Sequence, residues 1–369
     1  MTAVTEVSRD AMVGAVADAE VWFRRQVERS WVPSYLAERN LPVPACAGYA
    51  PAAWTGLVDH ARTLGYSDAV IHAAGLAVPT RRNTLVDRFR DRVVLSIRDH
   101  EGDVVGFVGR VHPSNADERA PRYVNSPAGG LYRKSDLLFG LADGVDALRA
   151  GATPVLVEGP FDALAVTAAR AGRYVGLAPC GTAFTCGQAA ALQRAADLAG
   201  REVLLAFDGD SAGVRAAGGA VELLDRLDAR VSVLVVPDGT DPGALHEHGE
   251  LAQRLDGGGR RSPSFARVLA AMGEQLDISS PEAQLRQVDD LTVLLALSLP
   301  NEISDDVVRI ADCVGVPVTL VHQRLLDAVS PPPTNSVRNS SQVSAAGPKP
   351  GSPWTATANA SVVKRAAHR

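Results

Sequence analysis

Val203-Leu-Leu-Ala-Phe-Asp208-Gly-Asp210-Ser-Ala-Gly213 sets a short, β-rich apolar run directly before two aspartates separated by a glycine. Three further runs of this kind, Pro154 to Val157, Tyr174 to Leu177 and Val231 to Val236, are bounded by Gly, Pro or Asp. Ala-rich stretches with helical spacing separate the runs at about 161–171, 187–199 and 212–228. Strands alternating with helices predict an α/β fold with a parallel sheet covered on both faces. In such sheets ligands bind beyond the carboxyl ends of the strands.

Carboxylates gather where these strands stop. The first ends in Val157-Glu158-Gly159-Pro160-Phe161-Asp162, the third in Asp208-Gly209-Asp210, and the fourth in Pro237-Asp238-Gly239-Thr240-Asp241-Pro242. Crowded carboxylates raise one another's pKa values unless a cation compensates them. Hard oxygen donors of this kind suit Mg²⁺ or Mn²⁺, which bridge to substrate phosphates. Asp-Gly is also a common turn signal. Glu158 on a neighbouring strand end is what shifts Asp208 and Asp210 from turn residues to metal ligands. Asp162, Asp238 and Asp241 fit N-cap or turn positions as well.

Before the sheet region, residues 14–40 read as helix, and shorter helices are predicted at Ala52 to Leu64 and Ser67 to Ala74. From Arg92 the period changes. Val93, Val94, Leu95 and Ile97, a polar turn over Asp99 to Asp103, then Val104, Val105, Phe107 and Val108 predict a β-hairpin ending at Arg110. After Gly257-Gly258-Gly259, residues 262–328 read as helices, and residues 331–369, with six prolines and no acidic residue, read as a disordered tail.

With 37 Lys plus Arg against 42 Asp plus Glu among 369 residues, the net charge is −5, which excludes indiscriminate coating of nucleic acid. The average hides a division. Residues 80–134 carry 11 basic against 7 acidic side chains, or +4, and residues 331–369 carry 5 against none, or +5. No apolar run approaches the roughly 18 residues that span a bilayer, and no signal peptide is read, so a cytoplasmic location and no membrane partner are expected. Cys46, Cys180, Cys186 and Cys313 form no C-x-x-C pair, so no zinc site is expected.

Taken in order, Asp87-Arg-Phe-Arg-Asp-Arg92, Gly106-Phe-Val-Gly-Arg110, Arg122-Tyr-Val-Asn-Ser-Pro127, Leu131-Tyr-Arg-Lys134, Glu158-Gly-Pro-Phe-Asp162, Gly181-Thr182, Asp208-Gly-Asp210 and Pro237 to Pro242 resemble the TOPRIM-containing RNA-polymerase domain of bacterial DnaG-type primases. The resemblance spans about residues 15–328. It implies a primase catalytic core: an N-terminal α+β subdomain with a basic template face over 1–150, a TOPRIM domain over 151–256, a helical subdomain over 257–330 and the tail over 331–369. Family members usually also carry a zinc ribbon and a helicase-binding domain, and neither is read in this sequence. Where the family generally has Asp-Pro-Asp, this chain has Asp241-Pro242-Gly243. Arg122 stands where lysine is more usual.

By that resemblance, Glu158, Asp208 and Asp210 are the catalytic residues, and the same three with Asp241 are the metal ligands. Arg110, Arg122, Asn125 and Lys134 hold the template and the incoming nucleotide. The implied activity is metal-dependent synthesis of short RNA primers from ribonucleoside triphosphates on single-stranded DNA, with a replicative helicase or another replication protein recruited through the tail. A TOPRIM nuclease and a non-catalytic DNA-binding replication accessory are the alternatives; a topoisomerase is disfavoured because no strand-cleaving tyrosine region is found. With only 5% aromatic residues, single-strand binding is expected to rest on the basic groove and not on an aromatic platform.

Overall fold

A computed structural model of the chain describes residues 7–115, 119–181, 183–208, 211–234, 236–237, 239–257, 260–261, 279–295 and 303–329. Gly209, Asp210, Asp238, Thr182 and the tail from 330 onward lie outside the described residues.

The N-terminal half is built on a four-stranded antiparallel sheet, ordered β1 (Ala47–Ala50), β4 (Arg92–Arg98), β5 (Val104–Val111) and β6 (Tyr123–Asn125). The predicted hairpin is β4–β5, with Val93 opposite Arg110 and Leu95 opposite Val108. Both strands are buried at nearly every position, because both faces of this sheet are covered. One face, with Val94 and Phe107, packs on α1 (Arg9–Arg25), α3 (Gly56–Thr63) and α4 (Asp68–Ala73). Phe23 of α1 is 1% exposed and meets Phe107 edge to face with centroids 5.2 Å apart; burying such a ring is worth about 2–3 kcal/mol. The other face, with Val93, Leu95 and Ile97, packs with Tyr35 and Leu36 of α2 (Val32–Glu38).

The single helix predicted over 14–40 is two helices. Gln26 closes α1, a short 3₁₀ turn spans Val27–Arg29, and α2 restarts beyond Ser30 with Pro33 in its first turn. Similarly, Ala52 to Thr55 form a loop before α3 in place of its predicted first turn. The α4 prediction stands, with Ser67 capping the amide of Val70.

The second sheet is ordered β12 (Arg260–Arg261), β11 (Arg230–Leu234), β10 (Glu202–Leu205), β8 (Thr153–Leu156), β9 (Tyr174–Pro179) and β7 (Leu138–Phe139). The four predicted strands β8 to β11 are parallel, and two short antiparallel strands close the edges. Side chains alternate between two cores. Val155, Val157, Leu204 and Ala206 face α6 (Pro160–Ala169) and the core shared with the first sheet. Leu156, Val203, Leu205 and Phe207 face α7 (Cys186–Ala196) and α8 (Ser211–Asp225). Gly176 of β9 is required by this packing: a Cβ there would lie 2.1 Å from the carbonyl oxygen of Ala163 in α6. Strand β7 and α5 (Leu141–Arg149) precede residue 151 yet belong to this sheet and its second core.

Further on, α9 (Pro242–Glu247) and α10 (Leu251–Leu255) follow β11. The helices α11 (Pro281–Leu295), α12 (Ile303–Val314) and α13 (Val318–Val329) enclose their own core of Val288, Leu291, Ile310 and Val321. No helix among the described residues is long and apolar enough to cross a membrane.

Candidate active site

Parallel pairing sets the carboxylates side by side. Leu156 of β8 is level with Leu205 of β10, so Glu158 and Asp208 emerge two and three residues later at the same edge. The backbone N–H of Asp208 donates to Oε1 of Glu158 at 3.2 Å. Gly159 and Pro160 then start α6 with no side-chain cap, which leaves its first turn open to the edge.

At the fourth strand end the N-cap reading of Asp241 holds. Its Oδ1 accepts from the N–H of Ala244 at 2.6 Å and so caps α9, while the residue also lines the cleft. Asp162, in the first turn of α6, does not cap its own helix: its Oδ1 accepts from the N–H of Gly243 at 3.1 Å. Burial pushes the Asp162 carboxyl up to about 6, and the charge of Asp241 adds to the rise. The N–H of Gly243 and the guanidinium groups of Arg110 and Arg39 pull the other way.

The opposite wall comes from the antiparallel sheet. Arg110 of β5 pairs with Tyr123 of β6, and Arg122 and Asn125 flank it. Strand β6 is pinned by two arginines: Arg88 Nε donates to the Asn125 carbonyl at 2.9 Å, and Arg92 Nη1 donates to the Arg122 carbonyl at 3.2 Å. Arg110 is 5% exposed. Its guanidinium lies 5.5 Å from the ring centroids of Tyr35 and Tyr123 and 5.0 Å from that of Phe161. Among the described residues it makes no ion pair, its Nε has no hydrogen-bond partner, and burial pulls its pKa down. A desolvated cation ringed by aromatic faces, with no carboxylate of its own, is a site prepared for an anion.

Glu158, Asp208, Asp241, Arg110, Arg122 and Asn125 thus line one cleft of about 270 Å³, with Arg39, Asp162 and Gly181. Lys134 does not line it. The lysine is half-buried, and its carbonyl accepts from Nε2 of the buried Gln188, which anchors the start of α7. Asp210 and Asp238 lie outside the described residues. Arg39 was not legible as a site residue: it ends α2 more than 100 residues before the acidic motifs, and only the fold brings it to Asp162, with Glu247 paired to it at 2.9 Å.

Four carboxylates on one side of a small cleft and arginines on the other form a donor set for a hard divalent cation bridged to phosphate. Among the described residues, the three carboxylates whose oxygens come within 4.8 Å of one another are instead Asp99, Glu101 and Asp103, in the β4–β5 turn. There Asp99 accepts from the N–H groups of Glu101 and Asp103 and pairs with Arg9 at 3.0 Å, which is turn chemistry.

Known protein families match both sheet regions of the chain. Residues 22–144 match the family model described as the N-terminal domain of the DNA primase catalytic core, and residues 155–246 match a Toprim-like model. The chain is 39% identical over 213 residues to a DNA primase of Deinococcus radiodurans, covering 56% of this chain and 36% of that one. It is 30% identical over 322 residues to a DNA primase of Streptomyces coelicolor, covering 84% and 49%. The chain therefore spans about half or less of the length of these curated relatives. Among solved structures, the RNA polymerase domain of Mycobacterium tuberculosis primase DnaG superposes with a TM-score of 0.66 at 30% identity, covering 83% of this chain and 99% of that one.

Proposed function

This chain belongs to the DnaG-type primase family through its RNA-polymerase domain, and from that premise we propose that it synthesises short RNA primers on single-stranded DNA during replication. The observation that carries the proposal is the cleft itself. Glu158, Asp208 and Asp241 from three parallel strand ends face Arg110, Arg122 and Asn125 from the other sheet across a space that a nucleotide's phosphates would fill.

The reaction is nucleotidyl transfer. The 3′-hydroxyl of the growing primer attacks the α-phosphorus of an incoming ribonucleoside triphosphate, the new phosphodiester forms, and pyrophosphate leaves. Glu158, Asp208 and Asp241, with Asp210 beside them in sequence, would hold the divalent ion, Mg²⁺ or Mn²⁺. When bound, that ion neutralises phosphate charge and acts as a Lewis acid. The chain's own groups do the positioning. Arg110 and Arg122 neutralise and orient phosphate oxygens, the term that dominates phosphoryl chemistry. Glu158, whose Oε1 accepts from the Asp208 N–H, would accept the proton of the attacking hydroxyl. Asn125 offers an amide to the template or the incoming nucleotide, and the rings of Tyr35, Tyr123 and Phe161 keep Arg110 dry and fixed. A replicative helicase, or another replication protein recruiting the chain through residues 331–369, fits the same role.

The test is primer synthesis with ribonucleoside triphosphates, Mg²⁺ or Mn²⁺ and a single-stranded template. Asp208→Ala is expected to abolish product while leaving the folded protein intact. Full activity in that variant would sink the proposal, and cleavage of labelled DNA without nucleotides would point to a nuclease.

A further inference from the structure

Asn40 follows the last turn of α2 with a φ of +55°. Its N–H donates to the Ala37 carbonyl at 3.0 Å, and the N–H of the buried Leu41 donates to the Leu36 carbonyl at 2.9 Å, the Schellman pattern for ending a helix. Glycine would serve that left-handed backbone position as well. What asparagine adds is a side chain, whose Nδ2 donates at 2.8 Å to the carbonyl of Glu247, 207 residues further along the chain. In return, the Asn40 carbonyl accepts from Nε2 of His246 at 3.0 Å.

The far side of this clasp is the last turn of α9. There the carbonyls of Ala244, Leu245 and His246 accept from the N–H groups of His248, Glu250 and Gly249, and that of Glu247 accepts from Asn40. Each clasped segment carries a cleft group close by. Arg39 directly precedes Asn40 and lines the cleft, while Asp241 caps the opposite end of the six-residue α9. Arg39 and Arg110 both face the ring of Tyr35, at 5.1 and 5.5 Å, so α2 belongs to the arginine wall. With α9 belonging to the carboxylate wall, the clasp joins the two. Both bonds lie at the surface, where water competes for the same donors and acceptors, so they add little to the stability of the whole fold.

We infer that Asn40 and His246 are positioning residues, whose two-way clasp sets the spacing between the arginine wall and the carboxylate wall and so the grip on a nucleotide that bridges them. This rests on the proposal that the cleft holds a metal-bound nucleoside triphosphate. A divalent ion alone needs only the carboxylates, but a triphosphate must meet both walls at once. Loss of the clasp therefore spares the first and weakens the second.

The experiment titrates the full chain with Mn²⁺ alone, followed by the electron paramagnetic resonance of the free ion, and with ATP in saturating Mn²⁺, followed by calorimetry without template. Asn40→Gly keeps the backbone turn and removes one donor; His246→Ala removes the other. Each is expected to weaken ATP about 3- to 10-fold, the worth of one hydrogen bond, and to leave Mn²⁺ affinity within about twofold. His246→Gln, whose amide can donate to the Asn40 carbonyl, is expected to restore ATP binding. Asn40→Asp, which tolerates the turn but cannot donate, is expected not to. Because the two bonds form one clasp, the double variant is expected to lose less than the product of the single losses. In primer synthesis the same variants are expected to raise the KM for ribonucleotides with kcat nearly unchanged. Wild-type ATP affinity in Asn40→Gly and His246→Ala, with only a lower melting temperature, would reduce the clasp to a structural tie, and an equal loss of Mn²⁺ affinity would also overturn the inference. The two ideas fail separately: wild type that binds ATP with Mn²⁺ but makes no primer removes the activity and keeps the clasp.

Discussion

The carboxylate of Asp162 accepts a hydrogen bond from the backbone N–H of Gly243 at 3.1 Å, which ties the first turn of α6 to the first turn of α9. The missing side chain at 243 is thus met by a carboxylate from another element. A Cβ at Gly243 would lie 3.0 Å from Oδ1 of Asp162 and 3.1 Å from Oδ1 of Asp241. Asp162, from the first turn of α6, thus lies with Asp241 around Gly243.

Asp162 makes metal-free stability depend on pH. Its carboxyl titrates at about 6 in the fold and at about 3.9 unfolded. The raised value means that the fold favours the protonated form. That stabilisation is fully present below about pH 4 and is lost as pH rises through about 6, by at most about 3 kcal/mol and by less where cleft water screens the group. Asp162→Asn in EDTA is therefore expected to match wild type in urea unfolding at pH 4 and to exceed it at pH 7.5. Parallel profiles would show that the charge is not confined.

Gly243→Asp restores the family pattern and adds a carboxylate to Asp162 and Asp241. Without a divalent ion, the repulsion is expected to destabilise the protein by about 1–3 kcal/mol. Millimolar Mg²⁺ or Mn²⁺ is expected to reverse the loss, with a larger ion-dependent rise in melting temperature than wild type shows. A variant whose melting ignores both ions would place the metal elsewhere.

Arg110 separates charge from shape. Arg110→Met replaces a buried, unpaired cation among Tyr35, Tyr123 and Phe161 with an apolar chain, so stability is expected to be unchanged or about 1 kcal/mol higher. Binding of ATP and of single-stranded DNA is expected to fall about tenfold or more, and Arg110→Lys, which keeps charge but loses the planar stack, to recover only part of it. Calorimetry on the three proteins checks this, and undiminished binding by the methionine variant would remove Arg110 from the site.

Asp87 is 2% exposed and accepts from the N–H groups of Leu57 and Val58, both at 2.9 Å, so a residue of β3 (Leu85–Asp87) caps α3. Thr55, the local cap position, makes no such bond. Asp87→Ala is expected to cost about 2–3 kcal/mol in denaturant unfolding, whereas Thr55→Ala is expected to change little. Similar losses in the two variants would mean that the cap is local after all.

Periodicity and punctuation determined the larger part of the fold. The runs around Val155, Tyr174, Val203 and Val231 became four parallel strands, and the run from Arg92 became the β4–β5 hairpin, because the sequence period of a strand or helix is also the period of its burial. Strand ends are where a parallel sheet must deliver side chains, so Glu158, Asp208 and Asp241 were legible as one edge. Only the tertiary structure decided which cations meet them. Arg39 arrives from α2 and Arg110 from the other sheet, and Asp162 takes the place beside Gly243. A strand's ends follow from local spacing, but contacts between elements distant in sequence depend on how two cores pack against each other, and no local pattern encodes that.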